Sequence, residues 1–204
     1  MNPQPVTLVG KHVRLEPLSL AHVADLWSAF SLDPSIWSWL ILDPPDSPAA
    51  MQSIVSDALE AQARGDEIPF AQIEVASGKA VGGTRYLNIS RRDRGLEIGN
   101  TWIGRPWQRT AINTEAKYLL LRHAFEELGA VRVQFKTDLR NLRSQAAIER
   151  LGAVKEGVLR KVVLARGGHY RDSVFYSILA EEWPAVKGRL EAKMRGRGLG
   201  GETG

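Results

Sequence analysis

Hydrophobic residues recur along this chain with two different periods, and these periods predict its strands and helices. Alternating or continuous apolar runs bounded by turn residues are typical of strands. Such runs occupy residues 12–17, 70–75, 81–89, 96–104, 131–137, 154–165 and 173–179. Apolar positions spaced three or four residues apart are typical of helices. They occupy residues 18–30, 49–64, 114–128, 142–151 and 181–194.

The order of these elements predicts an α/β fold of the mixed α+β kind. Three successive strands followed by strand, helix and strand imply a mixed sheet with helices on both faces. The crossover through helix 114–128 is expected to be right-handed. A chain of 204 residues fits one domain. We predict a single domain over residues 1–195 and a flexible, Gly-rich basic tail over residues 196–204.

Composition excludes several classes of protein. The chain has no cysteine, which rules out disulfides, a Cys-ligated zinc site and a covalent thiol mechanism. Its four histidines lie far apart without ligand spacing, so we expect no metal. The first residues do not read as a signal peptide, and no apolar run approaches the ~20 residues that span a bilayer. We therefore expect a soluble, cytoplasmic protein with no membrane partner.

Charge is distributed unequally between the two halves of the chain. Residues 1–104 carry 8 basic and 12 acidic side chains, whereas residues 105–204 carry 19 basic and 11 acidic ones. A solvated basic surface and tail would explain this difference. An anionic ligand on the second half and a cationic substrate on the first half would explain it equally well.

The segment 96–128 predicts an anion site. A strand leads through a short polar loop into a helix, and the first amides of that helix lack internal partners. The helix dipole adds partial positive charge at the same end, and Arg105 and Arg109 lie in the loop. A pyrophosphate fits such a site.

This segment also resembles the acetyl-CoA signature of the GNAT superfamily, Q/R-x-x-G-x-G/A. The matching residues are Gln108, Arg109, Thr110, Ala111, Ile112 and Asn113. DLRNLRSQAAIERLGA resembles the N-x-x-S/A…lG(F/A) segment of the ribosomal-protein N-terminal (Rim-type) acetyltransferase branch. The opening GKHVRLEPLSLAHV and the closing GGHYRDSVFYSILAEEWP are similar to the same branch, so the resemblance covers residues 8–184.

The resemblance implies a mostly antiparallel sheet with a splayed parallel strand pair, in an acetyl-CoA-dependent N-acetyltransferase. Ala111 and Asn113 stand where the family has glycine or another small residue. Alanine costs little if its φ is negative, and asparagine tolerates a left-handed conformation or caps a helix. These departures are expected to affect coenzyme affinity more than coenzyme identity.

The resemblance also implies roles for residues around the coenzyme. Trp102 and Ile103 would offer backbone to the pantetheine and an amide to the thioester carbonyl. Asn141 matches an asparagine that binds pantetheine, although a helix cap is an alternative or additional role. Ile148 stands where many members place a tyrosine acid, so Ser144 is the candidate donor to sulfur. Arg143, with Arg150, could meet the 3′-phosphate or form a solvated face.

Candidate acceptor residues lie mostly in the first half of the chain. Glu97 is the candidate general base, and strict alternation would place it on one face with Gly99, Thr101 and Ile103. The alternative is a surface or edge-strand glutamate. Trp37 and Trp39, with the nearby Asp33 and Asp43, predict an aromatic, acidic acceptor groove. Packing in the core is the alternative for the two tryptophans.

The leading hypothesis is transfer of acetyl from acetyl-CoA to a protein N-terminal α-amine, for example of a ribosomal protein, by direct attack in a ternary complex. Acetylation of a small amine, such as an antibiotic, polyamine or amino acid, is the alternative within the enzyme class. Outside it stand a non-catalytic CoA-binding sensor and a ribosome-binding module. The aromatic residues are not interleaved with basic ones as in RNA-binding proteins, so direct nucleic-acid binding is not expected. A homodimer is left open.

Overall fold

A computed structural model describes residues 1–197 of the chain. Its strands are β1 (Leu8–Val9), β2 (Val13–Pro17), β3 (Ile68–Glu74), β4 (Ala80–Ser90), β5 (Gly95–Ile103), β6 (Arg132–Asp138), β7 (Val154–Leu164) and β8 (Tyr170–Leu179). Its helices are α1 (Val23–Ser31), α2 (Pro48–Ala63), α3 (Ile112–Arg122), α4 (Leu142–Glu149) and α5 (Trp183–Arg197). Of the predicted tail, residues 198–204 lie outside the described residues, and residues 196 and 197 belong to α5.

The strands form one sheet in the order β1-β2-β3-β4-β5-β6-β8-β7. Of the strand pairs in the described chain, β5 and β6 are parallel and the others are antiparallel. The mixed, mostly antiparallel sheet predicted from the sequence is therefore confirmed. No helix within residues 1–197 has both the length and the apolar character needed to cross a membrane.

Local sequence explains where the predicted helices begin and end. Ser47 caps α2 by accepting a hydrogen bond from the Ala50 amide at 3.1 Å, and Pro48 occupies the first helical position. Gly65, with φ of +79°, follows the last turn of the same helix. The segment predicted as helix 114–128 begins two residues earlier, and after Arg122 it continues as a π-helical turn over His123–Glu127.

Hydrophobic cores lie on both faces of the sheet. The larger core joins α3 and α5 to apolar residues that include Val133, Phe135 and Tyr176. The smaller core joins α1 and α2 to Ala71 and Ile73. We call these two sides of the sheet the α3 face and the α1 face.

A β-bulge in β5 changes which residues point to each face. Gly83 pairs with Trp102 and Arg85 pairs with Gly99, so Asn100 and Thr101 lie opposite the single residue between them on β4. Asn100 adopts φ of +46°. After the bulge Ile103 packs in the core of the α3 face, whereas Trp102 packs against the core of the α1 face.

The predicted common face of Glu97, Gly99, Thr101 and Ile103 is therefore wrong. Strict alternation fails at Asn100 because the bulge inserts one extra residue into the strand. Thr101 contacts Lys117 of α3 and so lies on the α3 face. Glu97 lies between Leu96 and Ile98, which both belong to the α3-face core, and therefore points to the α1 face.

The parallel pair β5–β6 separates soon after it begins. Pairing runs only from Gly95–Arg132 to Glu97–Gln134, and beyond it the two strands continue to Ile103 and Asp138 without further register. This is the predicted splay, and it opens a gap in the middle of the sheet.

Candidate functional site

The gap between β5 and β6 opens into a cleft with a volume of about 1550 Å³. At one end the cleft is lined by polar and basic residues of the β5–α3 loop and of α4. Its lining also includes residues of the segments 35–41 (except Trp37), 64–67 and 87–89, many of them apolar. A concave site of this size with a few convergent polar groups is the usual form of a ligand site.

The N-terminus of α3 supplies backbone donors at the basic end. Ile112 gives its amide to the Thr110 hydroxyl at 3.3 Å, and the first intrahelical bond joins the Glu115 amide to Ala111. The amides of Asn113 and Thr114 lie between these two bonds, at positions without an intrahelical acceptor. Asn113, Thr114, Arg109 and Arg105 all line the cleft, so donors and positive charge coincide there.

The loop tolerates the alanine found at the glycine position. Ala111 has φ of −70°, which alanine adopts without strain. The left-handed residue of this loop is Arg109, with φ of +65°. Ala111 and Ile112 are not among the residues that line the cleft, and the Ile112 side chain is buried in the core. They can contribute to a ligand only through their backbone.

Gln108 connects the end of β5 to α4 across the cleft. Its side-chain nitrogen donates to the Ile103 carbonyl at 3.0 Å, and its oxygen accepts from the Arg143 guanidinium at 2.5 Å. Arg143 therefore lies at the cleft beside the coenzyme signature, and Arg150 also lines the cleft.

Asn141 caps α4 at the point where β6 ends. Its Oδ1 accepts from the Ser144 amide at 3.0 Å, which leaves the side-chain amide nitrogen available on a residue that lines the cleft. Asp138 fixes the preceding loop by accepting from the backbone and guanidinium of Arg140. That guanidinium holds the pKa of Asp138 below its usual value. Ser144 also lines the cleft.

The open edge of β5 presents the Ile103 amide to the gap. Gly104 donates its amide to the Val81 carbonyl of the neighbouring segment at 2.9 Å. Backbone amides alternate in direction along a strand, so the Trp102 amide also points toward β4, where Trp102 pairs with Gly83. The Ile103 amide, which lies between these two, points away from β4. The Trp102 carbonyl accepts from the Gln72 side chain at 3.1 Å. Of the two residues, Ile103 is therefore the one whose amide faces the gap, and Trp102 lines the cleft.

Glu97 lies at the last paired position before the strands separate. Its side chain is buried, with 2% of the residue exposed, yet it lines the cleft. Oε2 accepts from Asn88 at 2.9 Å and from Gln134 at 3.0 Å, and Oε1 lies 3.6 Å from the Lys136 ammonium. The alternative of a surface glutamate is excluded by this burial.

The two predicted acceptor tryptophans separate in the structure. Trp37 is buried, packs edge-on against Phe30 and donates to the Leu42 carbonyl, so it belongs to the core and not to the cleft wall. Trp39 is 43% exposed and lines the cleft, with the Arg140 guanidinium 5.8 Å from its ring. Of the two predictions, only Trp39 is available to an acceptor.

The predicted acidic groove is not formed by Asp33 and Asp43. Asp33 caps the turn Pro34–Trp37 by accepting from Ser35, and it lies 3.7 Å from Arg105. The Ser35 hydrogen bond lowers its pKa. Neither aspartate is among the residues that line the cleft. The carboxylates that do line it near this end, Asp66 and Glu67, are paired with arginines.

Sequence reasoning missed two buried cations in the cleft. Arg171 of β8 donates to the Trp39 carbonyl, and burial lowers its pKa. Lys117 of α3 contacts Thr101 in the bulge. The burial of Lys117 could have been predicted from the sequence. The residue lies three and four positions before Leu120 and Leu121, on the same apolar face of the helix. Arg171 had no such signal, because the contact that brings it to the cleft wall, with Trp39, joins residues 132 positions apart in sequence.

Several known proteins are similar to this chain in both sequence and fold. Residues 12–154 match the family described as acetyltransferase (GNAT) domain. YdaF of Bacillus subtilis, provisionally named a ribosomal N-acetyltransferase, is 29% identical over 182 residues, which are 88% of this chain and 97% of YdaF. A GCN5-related N-acetyltransferase structure from Brucella melitensis is 31% identical, with a TM-score of 0.90 over 95% of this chain and 87% of its own.

A third neighbour was solved with a coenzyme derivative. The structure of Mycobacterium smegmatis RimJ in complex with CoA-disulfide has a TM-score of 0.81 and covers 94% of this chain and 96% of its own. Its sequence is 24% identical, a level at which the likeness shows a shared fold.

Proposed function

Because the chain belongs to the GNAT family of acetyltransferases, we propose that it transfers acetyl from acetyl-CoA to a protein N-terminal α-amine by direct attack in a ternary complex. The observation that carries the proposal is the gap between β5 and β6. A free backbone amide and two polar side chains, those of Glu97 and Ser144, line the cleft into which it opens. A ribosomal protein is the proposed acceptor class, in keeping with the name of the Bacillus relative.

Acetyl-CoA fits the basic end of the cleft. Its pyrophosphate would accept from the Asn113 and Thr114 amides at the start of α3, beside Arg109. Its pantetheine would run along the open edge of β5 and take a hydrogen bond from the Asn141 side-chain nitrogen. Arg143 is placed to meet a further phosphate. The CoA-disulfide bound by the Mycobacterium neighbour supports this choice of coenzyme.

The residues around the gap can perform amine acylation without a covalent enzyme intermediate. The amine nitrogen bonds to the carbonyl carbon while Glu97, directly or through water, accepts a proton from it. An α-amino group has a pKa of about 7.7–8.0, so only a modest base is needed near neutral pH. The Ile103 amide stabilises the developing negative charge on the carbonyl oxygen. Ser144 donates a hydrogen bond to the departing sulfur.

The volume and lining of the cleft support a peptide acceptor over a small amine. Besides residues of the gap, the lining includes residues of the segments 35–41, 64–67 and 87–89. Trp39 and other apolar side chains are among them, and a volume of about 1550 Å³ is large for a coenzyme and a small amine alone. A small amine would instead need an enclosed pocket next to Glu97.

A panel of acceptors tests this proposal. The protein is incubated with acetyl-CoA and either N-terminal peptides or small amines, and release of free thiol is followed. We expect turnover with peptides and at least tenfold lower kcat/KM with polyamines, amino acids and aminoglycosides. Higher kcat/KM with a small amine would overturn the peptide acceptor, and no thiol release with any amine would overturn the acetyl transfer.

Removal of the Asn141 side chain is expected to weaken both coenzyme binding and the fold. Asn141→Ala loses one hydrogen bond to pantetheine, which corresponds to about fivefold weaker binding of CoA. It also loses the α4 cap, which costs about 1 kcal/mol in the free energy of unfolding. Titration calorimetry with CoA and urea unfolding measure the two effects.

Asn141→Ser is the matched control, because serine caps helices but lacks the amide nitrogen. It should recover the stability while CoA binding stays weak. If Asn141→Ser binds CoA as tightly as the wild type, Asn141 is a helix cap alone.

A further inference from the structure

Lys117 is a buried lysine in the wall of the cleft. The residue is 6% exposed, and its Nζ donates to Thr101 Oγ1 at 2.5 Å and to Thr84 Oγ1 at 3.2 Å. The two hydroxyl oxygens are themselves 2.8 Å apart. Both partners are neutral. In the described part of the chain no carboxylate lies within ion-pair distance of Lys117, an uncommon situation for a buried lysine.

The titratable groups on the elements around Lys117 are engaged elsewhere. These groups are Glu115, Tyr118 and Arg122 of α3, His123 of the π-helical turn after it, Arg85 and Tyr86 of β4, Glu97 of β5, and Arg132, Lys136 and Asp138 of β6. Arg85, Tyr118, Arg132 and Asp138 bond Glu67, Glu191, Glu156 and Arg140, and Arg122 lies over the Tyr118 ring. Glu115 accepts from backbone amides of the β1–β2 segment, and Tyr86 bonds the Leu120 carbonyl and His123. Glu97 faces Lys136 and two side-chain amides. Burial therefore dominates at Lys117, and it lowers the pKa of the ammonium to about 7.

The bulge in β5 connects this amine to the reaction site. It turns Thr101 toward α3, while Glu97 stays on the α1 face. Thr101 and Lys117 both line the cleft, as do Asn113 and Ser144 at the coenzyme end. The gap thus has the Glu97 carboxylate on one face of the sheet. On the other face it has the buried Lys117 amine, which is hydrogen-bonded to the Thr101 hydroxyl.

We propose that Lys117, acting through Thr101, supplies the proton that the coenzyme sulfur takes up when the C–S bond breaks. This inference rests on the acetyl-transfer function proposed above. As the electron pair of the C–S bond moves to sulfur, the Thr101 hydroxyl gives its proton to sulfur and Lys117 gives one to Thr101. The products are the free thiol and neutral Lys117. Glu97 releases the proton of the acceptor amine to solvent. Lys117 then takes up a proton from solvent, so the net proton count is unchanged.

The acidities of the groups support this direction of transfer. A thiol has a pKa of about 8.5, above the value of about 7 for Lys117, so the proton moves downhill to sulfur. An isolated hydroxyl such as that of Ser144 is too weak an acid to give up its proton, whereas Thr101 can pass one on because it accepts a hydrogen bond from Lys117, which replaces the proton. Ile148, which stands where many members of the family have a tyrosine acid, is buried and offers no proton.

Lys117→Met tests the proposal because methionine keeps the length of the side chain and removes the proton. We expect kcat to fall at least 30-fold at pH 7, with the KM for acetyl-CoA and the Kd for CoA changed less than threefold. The melting temperature should stay equal or rise, since a buried amine without an anionic partner is replaced by an apolar group. Loss of stability together with unchanged kcat would show that the lysine is structural and overturn the proposal.

The pH profile gives a readout that a structural role would not move. In the wild type, kcat/KM should rise as the acceptor amine loses its proton and fall as Lys117 loses its own near pH 7, which gives a bell. In Lys117→Met the falling limb should be absent. A falling limb that persists in the variant would contradict the role of Lys117.

Variants of the threonines keep the test valid if Lys117→Met does not fold. Thr101→Val removes the relay hydroxyl and should lower kcat at least 30-fold, whereas Thr101→Ser should restore most of the rate. Thr84→Val removes a hydroxyl that contacts both Lys117 and Thr101, so kcat should fall there too, but less than in Thr101→Val. If Thr101→Val matches the wild type in rate and pH profile, the relay is wrong. A wild type that releases no thiol with any amine overturns the function and the relay together.

Discussion

Replacement of Glu97 by glutamine is expected to lower kcat about 100-fold, the lower end of the usual contribution of a general base. The carboxylate lies at the vertex of the β5–β6 gap and is the acidic group nearest to the point where the strands part. Glutamine has almost the same shape but cannot accept a proton. The KM for acetyl-CoA should change little, because Glu97 is not among the residues proposed to hold the coenzyme.

Glu67→Gln is the control for this experiment. Glu67 also lines the cleft and also pairs with a cation, Arg85 at 2.7 Å, but it lies outside the gap between β5 and β6. Its kcat should stay within threefold of the wild type, and an effect of its place beside the proposed acceptor should appear only in the KM for the peptide. If Glu97→Gln retains more than a third of the wild-type kcat, the base must be water or another group.

Replacement of Glu115 by alanine is expected to lower the free energy of unfolding by about 3–5 kcal/mol, among the larger effects of a single substitution. The Glu115 carboxylate accepts backbone amides of Lys11, His12 and Val13 at 2.8, 2.6 and 2.9 Å. Hydrogen bonds to a charged group contribute about 1.5–3 kcal/mol each, and the loss is partly offset where water reaches the freed amides. These three hydrogen bonds hold the β1–β2 turn against α3. Urea unfolding of the wild type and the variant measures the loss of stability.

Glu126→Ala provides a comparison on the same helical segment. Glu126 pairs with Lys187 at 2.8 Å in a position that water reaches, so its removal should cost about 1 kcal/mol or less. A loss at Glu115 no larger than at Glu126 would show that the three amides find other partners. Glu115 also sits in the first turn of α3, where the pyrophosphate is proposed to bind. Its alanine variant should therefore bind CoA somewhat more weakly, because that turn is packed less firmly.

The sequence predicted the strand and helix order because each element carries its own period. Residues 49–64 have a serine cap, a proline at the first position and a terminal glycine, all of them local signals. The splay of β5 from β6 came from family resemblance and not from periodicity. Strand β1 was missed because two residues are too few to show a pattern.

The parts of the site that were missed depend on contacts distant in sequence. The bulge at Asn100 requires the register with β4, which no pattern within β5 reveals, and it reverses the face expected for Thr101. The structural role of Glu115 has no local signal, because its partners lie more than 100 residues earlier in the sequence. Trp37 and Trp39 look alike in sequence, and only tertiary packing decides that the first is in the core.

The position of the sulfur in a crystal structure with bound coenzyme A tests the account most directly. The pyrophosphate should lie at the start of α3, over Asn113 and Thr114. The sulfur should lie in the gap beyond the Glu97–Gln134 pair, within hydrogen-bond distance of the Ser144 or Thr101 hydroxyl. A coenzyme bound with its sulfur outside that gap, or pairing its pantetheine with a strand other than β5, would contradict it.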